Sequence, residues 1–92
     1  MKIEVTQEHI NKGKRKGWYA CPVALAIESA IPGSRVSVGR LTITIYKGQQ
    51  RATRRTPKAV ADFIHQFDWY LKAEPFKFAL RSMPILFQGN QS

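Results

Sequence analysis

A helical repeat of apolar residues in the second half of the chain constrains the fold most. Apolar side chains recur at helical spacing, at Val60, Phe63, Ile64, Phe67 and Leu71. This spacing places them on one face of a helix. Thr56 and Pro57 precede the repeat as a capping hydroxyl and a first-turn proline, so the sequence predicts a helix from residue 57 to about residue 71. A helix with one apolar face needs a second layer to cover it.

The second layer is predicted to be β-sheet, because several short segments alternate apolar and polar residues. These segments are 2–5, 36–38, 41–46 and 76–80, and a turn at Gly48 indicates a further strand over 50–55. In segment 41–46 we expect Leu41, Ile43 and Ile45 to face the core, with Tyr46 on the opposite face. Segment 50–55 has only Ala52 as a clear apolar residue, so we expect it at a sheet edge.

Two further helices are predicted in the first third of the chain. Thr6 can cap a short helix that ends at Gly13, and Pro22 begins a second helix that runs to about Ile31. The second helix is apolar around most of its circumference and should be largely buried. Cys21, at its start, is expected to be a small buried group.

These elements predict an α+β fold. We expect a small antiparallel sheet of about four or five strands, with two main helices on one face. A chain of 92 residues allows a single domain, which we assign to residues 1–81, with residues 82–92 as a C-terminal tail.

Positive charge is confined to the middle of the chain. The net charge is +9, with 15 Lys and Arg residues against 6 Asp and Glu residues. Residues 9–61 contain 11 of these cations and the single acid Glu28, so this segment carries +10. A hydrophobic content of 43% allows a folded core and excludes a disordered basic tail. Charge for solubility alone needs only a few units, so we expect this segment to bind a polyanion.

The first basic cluster lies in a glycine-containing loop. It comprises Lys12, Lys14, Arg15 and Lys16, and it is followed by Trp18 and Tyr19. Such a loop can follow a phosphate backbone while an adjacent aromatic ring stacks on bases. We expect one of the two aromatic residues to anchor the loop to the core instead, and assign Trp18 to binding.

The second basic cluster lies on the predicted edge strand and near it. Its members are Lys47, Arg51, Arg54, Arg55 and Lys58. On a strand, Arg51 and Arg55 would share one face and Arg54 would lie on the other. Arginine forks bind phosphates or carboxylates at two points, which favours anion binding over simple solvation. Arg35 and Arg40, from the preceding hairpin, complete the predicted binding set.

The polyanions compatible with this pattern are nucleic acid, a ribonucleoprotein and an acidic protein groove. The polar face of the long helix carries Asp62, Asp68 and Glu74, which argues against an anionic membrane. No apolar run approaches the roughly 20 residues of a membrane span, and the N-terminus lacks a signal-peptide core, so we expect a cytoplasmic protein. Known base-reading motifs are missing, so binding should be led by phosphate contacts.

Catalysis is not expected from the residues available. His65 has Asp62 and Asp68 within helical reach, and a small enzyme using them is a third hypothesis. An exposed, hydrogen-bonded helix surface explains the same spacing more simply. Cys21, His9 and His65 do not form a zinc-ligand pattern. We therefore predict no catalytic site, no metal, no cofactor and no small-molecule substrate.

Several segments together resemble short bacteriophage proteins of unassigned function. They are Val5-Thr6-Gln7-Glu8-His9-Ile10, Cys21-Pro22-Val23-Ala24-Leu25-Ala26-Ile27, Pro57-Lys58-Ala59-Val60-Ala61-Asp62-Phe63 with Phe67-Asp68, and Pro75-Phe76-Lys77-Phe78. The resemblance spans residues 3–80 and implies a fold more than an activity. In size and character the chain is also similar to anti-CRISPR proteins, including those that act on type I-F surveillance complexes. Neither resemblance assigns functional residues.

The leading hypothesis combines the charge with these resemblances. It describes a phage-encoded, non-enzymatic inhibitor that binds a host CRISPR ribonucleoprotein surveillance complex in the bacterial cytoplasm and blocks target DNA. The alternative is a small basic regulatory protein that binds free DNA or RNA. Direct binding of free nucleic acid with steep salt dependence would distinguish the second from the first.

Overall fold

The computed structural model describes residues 2–15, 17–70 and 73–80 and has the predicted α+β architecture. Its elements in chain order are β1 (Lys2–Val5), α1 (Gln7–Lys12), α2 (Pro22–Ala30), β2 (Ser34–Val38), β3 (Thr42–Lys47), β4 (Gln50–Arg55), α3 (Lys58–Tyr70) and β5 (Phe76–Ala79). All strand pairs are antiparallel. The predicted end of the long helix at Leu71 and the predicted tail 82–92 lie outside the described residues.

The five strands of the described residues form two sheets, which corrects the expectation of one. β2, β3 and β4 form a three-stranded sheet in that order, and β1 pairs with β5 in a separate two-stranded sheet. The free edge of β2 is closed to a further strand, because the Val36 N–H donates to the Glu28 carboxylate and the Val38 N–H donates to the Trp18 carbonyl. β1 instead pairs with β5, with Ile3 opposite Phe78.

One hydrophobic core joins the two sheets and the two longer helices. α2 packs against both β1 and β2 and buries most of its length, as predicted. α3 buries the repeat identified in the sequence, with Val60, Phe63, Ile64 and Phe67 in the core. The Phe63 ring stacks on Phe76 of β5 with 4.7 Å between centroids, so α3 contacts the two-stranded sheet through this pair.

The turns of the three-stranded sheet decide which residues enter its strands. Gly48 has φ of +60° in the β3–β4 turn, a backbone conformation that glycine adopts readily. The β2–β3 connection is closed by a bond from the Gly39 N–H to the Thr42 carbonyl, so β3 begins at Thr42. Leu41 therefore lies in the connection with 80% of its surface exposed, and the expectation that it faces the core is wrong.

Thr56 has a different role from the one predicted. α3 begins after Pro57, as expected, with the Pro57 carbonyl accepting the first helical bonds. The Thr56 hydroxyl, predicted to cap this helix, instead donates to the Gly39 carbonyl over 2.8 Å. Thr56 is buried and its N–H donates to the Leu41 carbonyl, so it joins the start of α3 to the β2–β3 connection.

Candidate nucleic-acid interface

One face of the three-stranded sheet is turned away from the core, and we call it the outer face. Val36, Ile43 and Ile45 are buried on the other face, so their neighbours in the chain point outward. The register extends this division to β4, because the buried Ala52 lies opposite Ile45. The outer face consists of Arg35, Ser37, Thr42, Thr44, Tyr46, Arg51, Thr53 and Arg55.

A row of basic and aromatic residues crosses the outer face near the β3–β4 turn. Tyr46 of β3 lies opposite Arg35 of β2 and opposite Arg51 of β4. All three residues are exposed. Neighbouring strands are about 4.8 Å apart, so the backbones that carry the two arginines are only about 10 Å apart. A single extended anionic ligand can therefore contact both.

A second tyrosine extends this row beyond β2. The bond from the Val38 N–H to the Trp18 carbonyl, 2.9 Å long, holds the loop 17–20 along the free edge of the strand. From this loop the Tyr19 ring meets Arg35, whose guanidinium carbon lies 4.5 Å from the ring centroid. This cation–π contact restrains the guanidinium without neutralising its charge.

The single acid of the basic segment does not belong to the outer face. The Glu28 carboxylate accepts the backbone N–H of Val36 at the β2 edge, with 3.0 Å between oxygen and nitrogen. The Glu28 carboxylate thus accepts the Val36 N–H, which could otherwise pair with another strand at this edge. Among the described strands, the outer face thus contains Arg35, Arg51 and Arg55 and no Asp or Glu.

Two of the predicted binding cations are paired on helices, away from the outer face. Lys12 lies 3.4 Å from the Glu8 carboxylate in α1, and Lys58 lies 3.0 Å from the Asp62 carboxylate in α3. Both pairs join residues four positions apart on an exposed helix surface. Each acid reduces the charge that its lysine presents to an anion.

Arg15 is held by the backbone of the long helix. Its Nε and Nη2 donate to the Asp68 carbonyl over 2.9 and 2.7 Å. Cations near a helix C-terminus interact favourably with its exposed carbonyls. Arg15 therefore joins the first basic cluster to the end of α3. At this residue, the cluster is directed away from the outer face.

The remaining predicted cations are dispersed. Lys14 is exposed in the loop after α1, and Arg40 is exposed in the β2–β3 connection. Lys47 is half-buried at the end of β3, opposite Ser34. Arg54 is half-buried on the Ala52 face of β4, opposite to Arg51 and Arg55 as the strand prediction required. Lys16 lies outside the described residues.

A largely apolar groove lies at the β2–β3 connection, toward the opposite end of the sheet from Arg35, Tyr46 and Arg51, and Arg40 and Asp68 also line it. Its volume is about 730 Å³, and its walls include Trp18, Val38, Leu41, Ile64 and Trp69. Trp18 is 63% exposed and Tyr19 is 45% exposed, so the expectation that one of them anchors the loop in the core is wrong. The loop is held instead by its own backbone bonds, including the bond from the Lys14 N–H to the Ala20 carbonyl.

Two side chains with catalytic potential, Cys21 and His65, have defined neighbours in the fold. Cys21 is buried at the N-terminus of α2, as predicted, where its sulfur accepts the Ala24 N–H. Burial raises the pKa of the Cys21 thiol above its ordinary value of 9.0, which disfavours the nucleophilic thiolate. His65 is exposed on α3, and its ring meets Tyr70 edge-on at 5.9 Å. In the described ranges, no three His, Cys, Asp or Glu residues are grouped to hold a metal ion.

Two tyrosines of the candidate site, Tyr19 and Tyr46, were not among the predicted binding residues. Tyr46 could have been identified from the alternation with Ile43 and Ile45, which already placed it on the opposite face to the core. Its position between two arginines requires the register with β2 and β4. No sequence signal assigns Tyr19 to Arg35, because their contact depends on how the loop 17–20 follows the β2 edge.

Comparisons with protein-family models, with curated proteins and with solved structures found no match for this chain. Across the described ranges, no helix has the length and apolar character needed to cross a bilayer.

Proposed function

We propose that this protein is a non-enzymatic nucleic-acid-binding protein that contacts the phosphate backbone through the outer face. The observation that carries this proposal is the acid-free, solvent-exposed set of Arg35, Arg51 and Arg55 on one side of a three-stranded sheet. Guanidinium groups bind phosphate oxygens at two points, and such contacts position a protein on nucleic acid without reading its sequence.

Neutralising the three outer-face arginines tests this proposal. We expect replacement of Arg35, Arg51 and Arg55 together by Gln to weaken binding to labelled DNA and RNA in fluorescence anisotropy. The slope of log K against log salt should fall by about 0.7 per lost contact on a single strand and about 0.9 on a duplex. Circular dichroism of the triple variant should match that of the unmodified chain.

A matched variant separates the outer face from net charge. Replacing Lys12, Lys58 and Lys77 by Gln removes the same charge from exposed positions elsewhere on the described surface. Lys12 and Lys58 are already paired with acids, so this variant should retain most of the affinity and most of the salt slope. Equal losses in the two triple variants would contradict the assignment to the outer face.

The second candidate function is inhibition of a host CRISPR ribonucleoprotein complex. The observation that favours it is the apolar groove lined by Trp18, Leu41 and Trp69, whose lining also includes Arg40 and Thr42. The phosphates of free nucleic acid need only the cations, whereas a complex of RNA and protein offers phosphates and apolar side chains together. In this function the protein would act in the bacterial cytoplasm and block the access of target DNA.

Pull-down from bacterial lysate and phage infection distinguish the two candidates. The inhibitor should co-purify with a large ribonucleoprotein after nuclease treatment, and its expression should restore phage plaques on a CRISPR-immune strain. A regulator of free nucleic acid should lose its partners after nuclease treatment. Failure to restore plaques across the main CRISPR types would overturn the inhibitor function but not nucleic-acid binding.

A further inference from the structure

We propose that the outer face binds an unpaired nucleic-acid strand, with a base stacked on Tyr46 and phosphates on Arg35 and Arg51. This inference rests on the proposed function and specifies the form of nucleic acid that the surface takes. Three features of the outer face carry it: its shape, the position of its aromatic ring and the size of the side chains beside that ring.

The shape of the outer face is unsuited to the grooves of a duplex. The major groove of B-DNA is about 12 Å wide and admits one helix or a two-stranded ribbon. The outer face is the open side of three strands whose other side is covered by the core, so it cannot enter such a groove. Against a duplex it could contact only phosphates, whereas an unpaired strand can lie along it with its bases accessible.

Tyr46 is placed where a base could stack. It lies between Arg35 and Arg51 on adjacent strands, and 37% of its surface is exposed. A phosphate contact on either side would hold the backbone of a strand across the sheet and bring its bases over the ring. Aromatic rings combined with a basic surface bind single strands with little sequence preference, because every base has a π-face.

The side chains next to Tyr46 leave room for the base. Thr44 precedes Tyr46 on the same face of β3, and it lies opposite Ser37 on β2 and Thr53 on β4. These three short side chains leave a shallow strip across the sheet. It lies between the row of Arg35, Tyr46 and Arg51 and the position of Arg55 at the end of β4. Their hydroxyls can donate to and accept from the polar edges of a base. Arg55 then offers a third cation farther along the face.

Fluorescence anisotropy with the full-length chain tests this inference. The probes are labelled oligouridylate, labelled oligothymidylate, and RNA and DNA duplexes of the same length. We expect tighter binding of one or both single strands than of either duplex. Replacing Tyr46 by Thr should weaken single-strand binding by about 5-fold to 150-fold, the range for one base stacked on an aromatic ring, and should leave duplex binding unchanged.

Two further variants separate stacking from charge and from misfolding. Tyr46→Phe keeps the ring and should bind single strands nearly as the unmodified chain does. Tyr46→Leu keeps an apolar side chain without a ring and replaces Tyr46→Thr if circular dichroism shows that the Thr variant does not fold. Arg51→Gln should lower the single-strand salt slope by about 0.7, whereas Tyr46→Thr should lower affinity with little change in slope.

The outcomes distinguish this inference from the proposed function. Equal binding of duplexes and single strands, or unchanged single-strand binding by a folded Tyr46→Thr or Tyr46→Leu variant, would overturn the unpaired-strand ligand. Nucleic-acid binding that still depends on the three arginines would then leave the proposed function standing. Failure of the unmodified chain to bind any of the four probes at low salt would overturn both.

Discussion

On strand β3, Ile43 and Ile45 are fully buried, whereas Tyr46, the next residue in the chain, is exposed between two arginines. The same contrast extends over the three-stranded sheet. Its inner face supplies part of the core, and its outer face carries arginine, tyrosine and short hydroxyl side chains. Antiparallel sheets commonly bury one face and leave the other for solvent, and here the solvated face carries no acid in the described strands.

Cations on the helices and cations on the outer face differ in their partners. Lys12 and Lys58 each have a carboxylate one turn away, because helical spacing brings residues four apart together. Outer-face neighbours come from other strands, and in this sheet they are threonine, serine, tyrosine and arginine. In the described strands, pairing thus gathers Arg35, Arg51 and Arg55 on one face without an acid, whereas Lys12 and Lys58 each have an acidic partner.

The largest expected effect is the loss of stability caused by a cavity in the core beneath the three-stranded sheet. Ile45→Ala removes a fully buried side chain, so we expect the free energy of unfolding to fall by about 2–5 kcal/mol. Thr44→Val, one residue away and directed to the outer face, should change it by less than about 0.5 kcal/mol. Denaturant unfolding monitored by circular dichroism measures both. Similar losses in the two variants would contradict the division of the sheet into a core face and an outer face.

An acid introduced on the outer face should reduce binding with little effect on stability. Thr53 lies between Arg51 and Arg55 on the outer face of β4, so Thr53→Glu would pair with its basic neighbours and repel phosphate. We expect nucleic-acid affinity to fall by more than about tenfold, since like charges brought together at an interface are costly.

Two controls sharpen this prediction. Ala59→Glu adds the same charge at an exposed position of α3, and Thr53→Gln adds a similar side chain without charge. Both should bind nearly as tightly as the unmodified chain in anisotropy titrations, and all three should show similar thermal unfolding. If Ala59→Glu weakened binding as much as Thr53→Glu, net charge rather than the outer face would determine affinity.

The smallest expected effect is the change in stability with pH that comes from the buried Cys21 thiol. Burial raises the pKa of Cys21, so the folded state holds the thiol proton more tightly than the unfolded chain does. The associated stability is complete below the ordinary thiol pKa of 9.0 and is lost as the pH rises through the folded-state pKa.

Replacing Cys21 by Ser isolates this effect, because serine can also cap α2 and does not ionise in this range. Denaturant unfolding should show a decline above about pH 9 in the unmodified chain that is smaller in Cys21→Ser. Identical pH profiles would contradict the assigned burial effect. The thiol of the folded chain should also react slowly with alkylating reagents, because only the thiolate is a good nucleophile.

Secondary structure was predictable where the residue pattern was strong. The repeat of α3, the alternation in β1, β3 and β5, and the edge position of β4 all follow from local spacing and are present in the structure. Predictions were wrong where hydrogen bonds between segments distant in the sequence determine the structure. Thr56 donates to the Gly39 carbonyl in the β2–β3 connection, and Glu28 and Trp18 accept the edge N–H groups of Val36 and Val38 on β2.

The candidate site was only partly predictable for the same reason. Arg51 and Arg55 were expected to share a face, and they do, because strand alternation is a local property. The cluster that surrounded them in the sequence did not stay together, since Lys58 belongs to α3 and Lys47 lies near Ser34. Arg35 of β2 lies on the same face as Arg51 and Arg55. The register of β3 places Tyr46 between Arg35 and Arg51.

The sequence by itself determined the fold class, the helical and strand segments and the confinement of positive charge to residues 9–61, because these depend on spacing and composition. Only the tertiary structure decided which cations form one surface. Strand pairing brings together side chains from β2, β3 and β4, and it leaves Arg15 and Lys12 on helical partners elsewhere. The reason is that register and edge closure are set by hydrogen bonds between distant segments, which the order of residues alone does not specify.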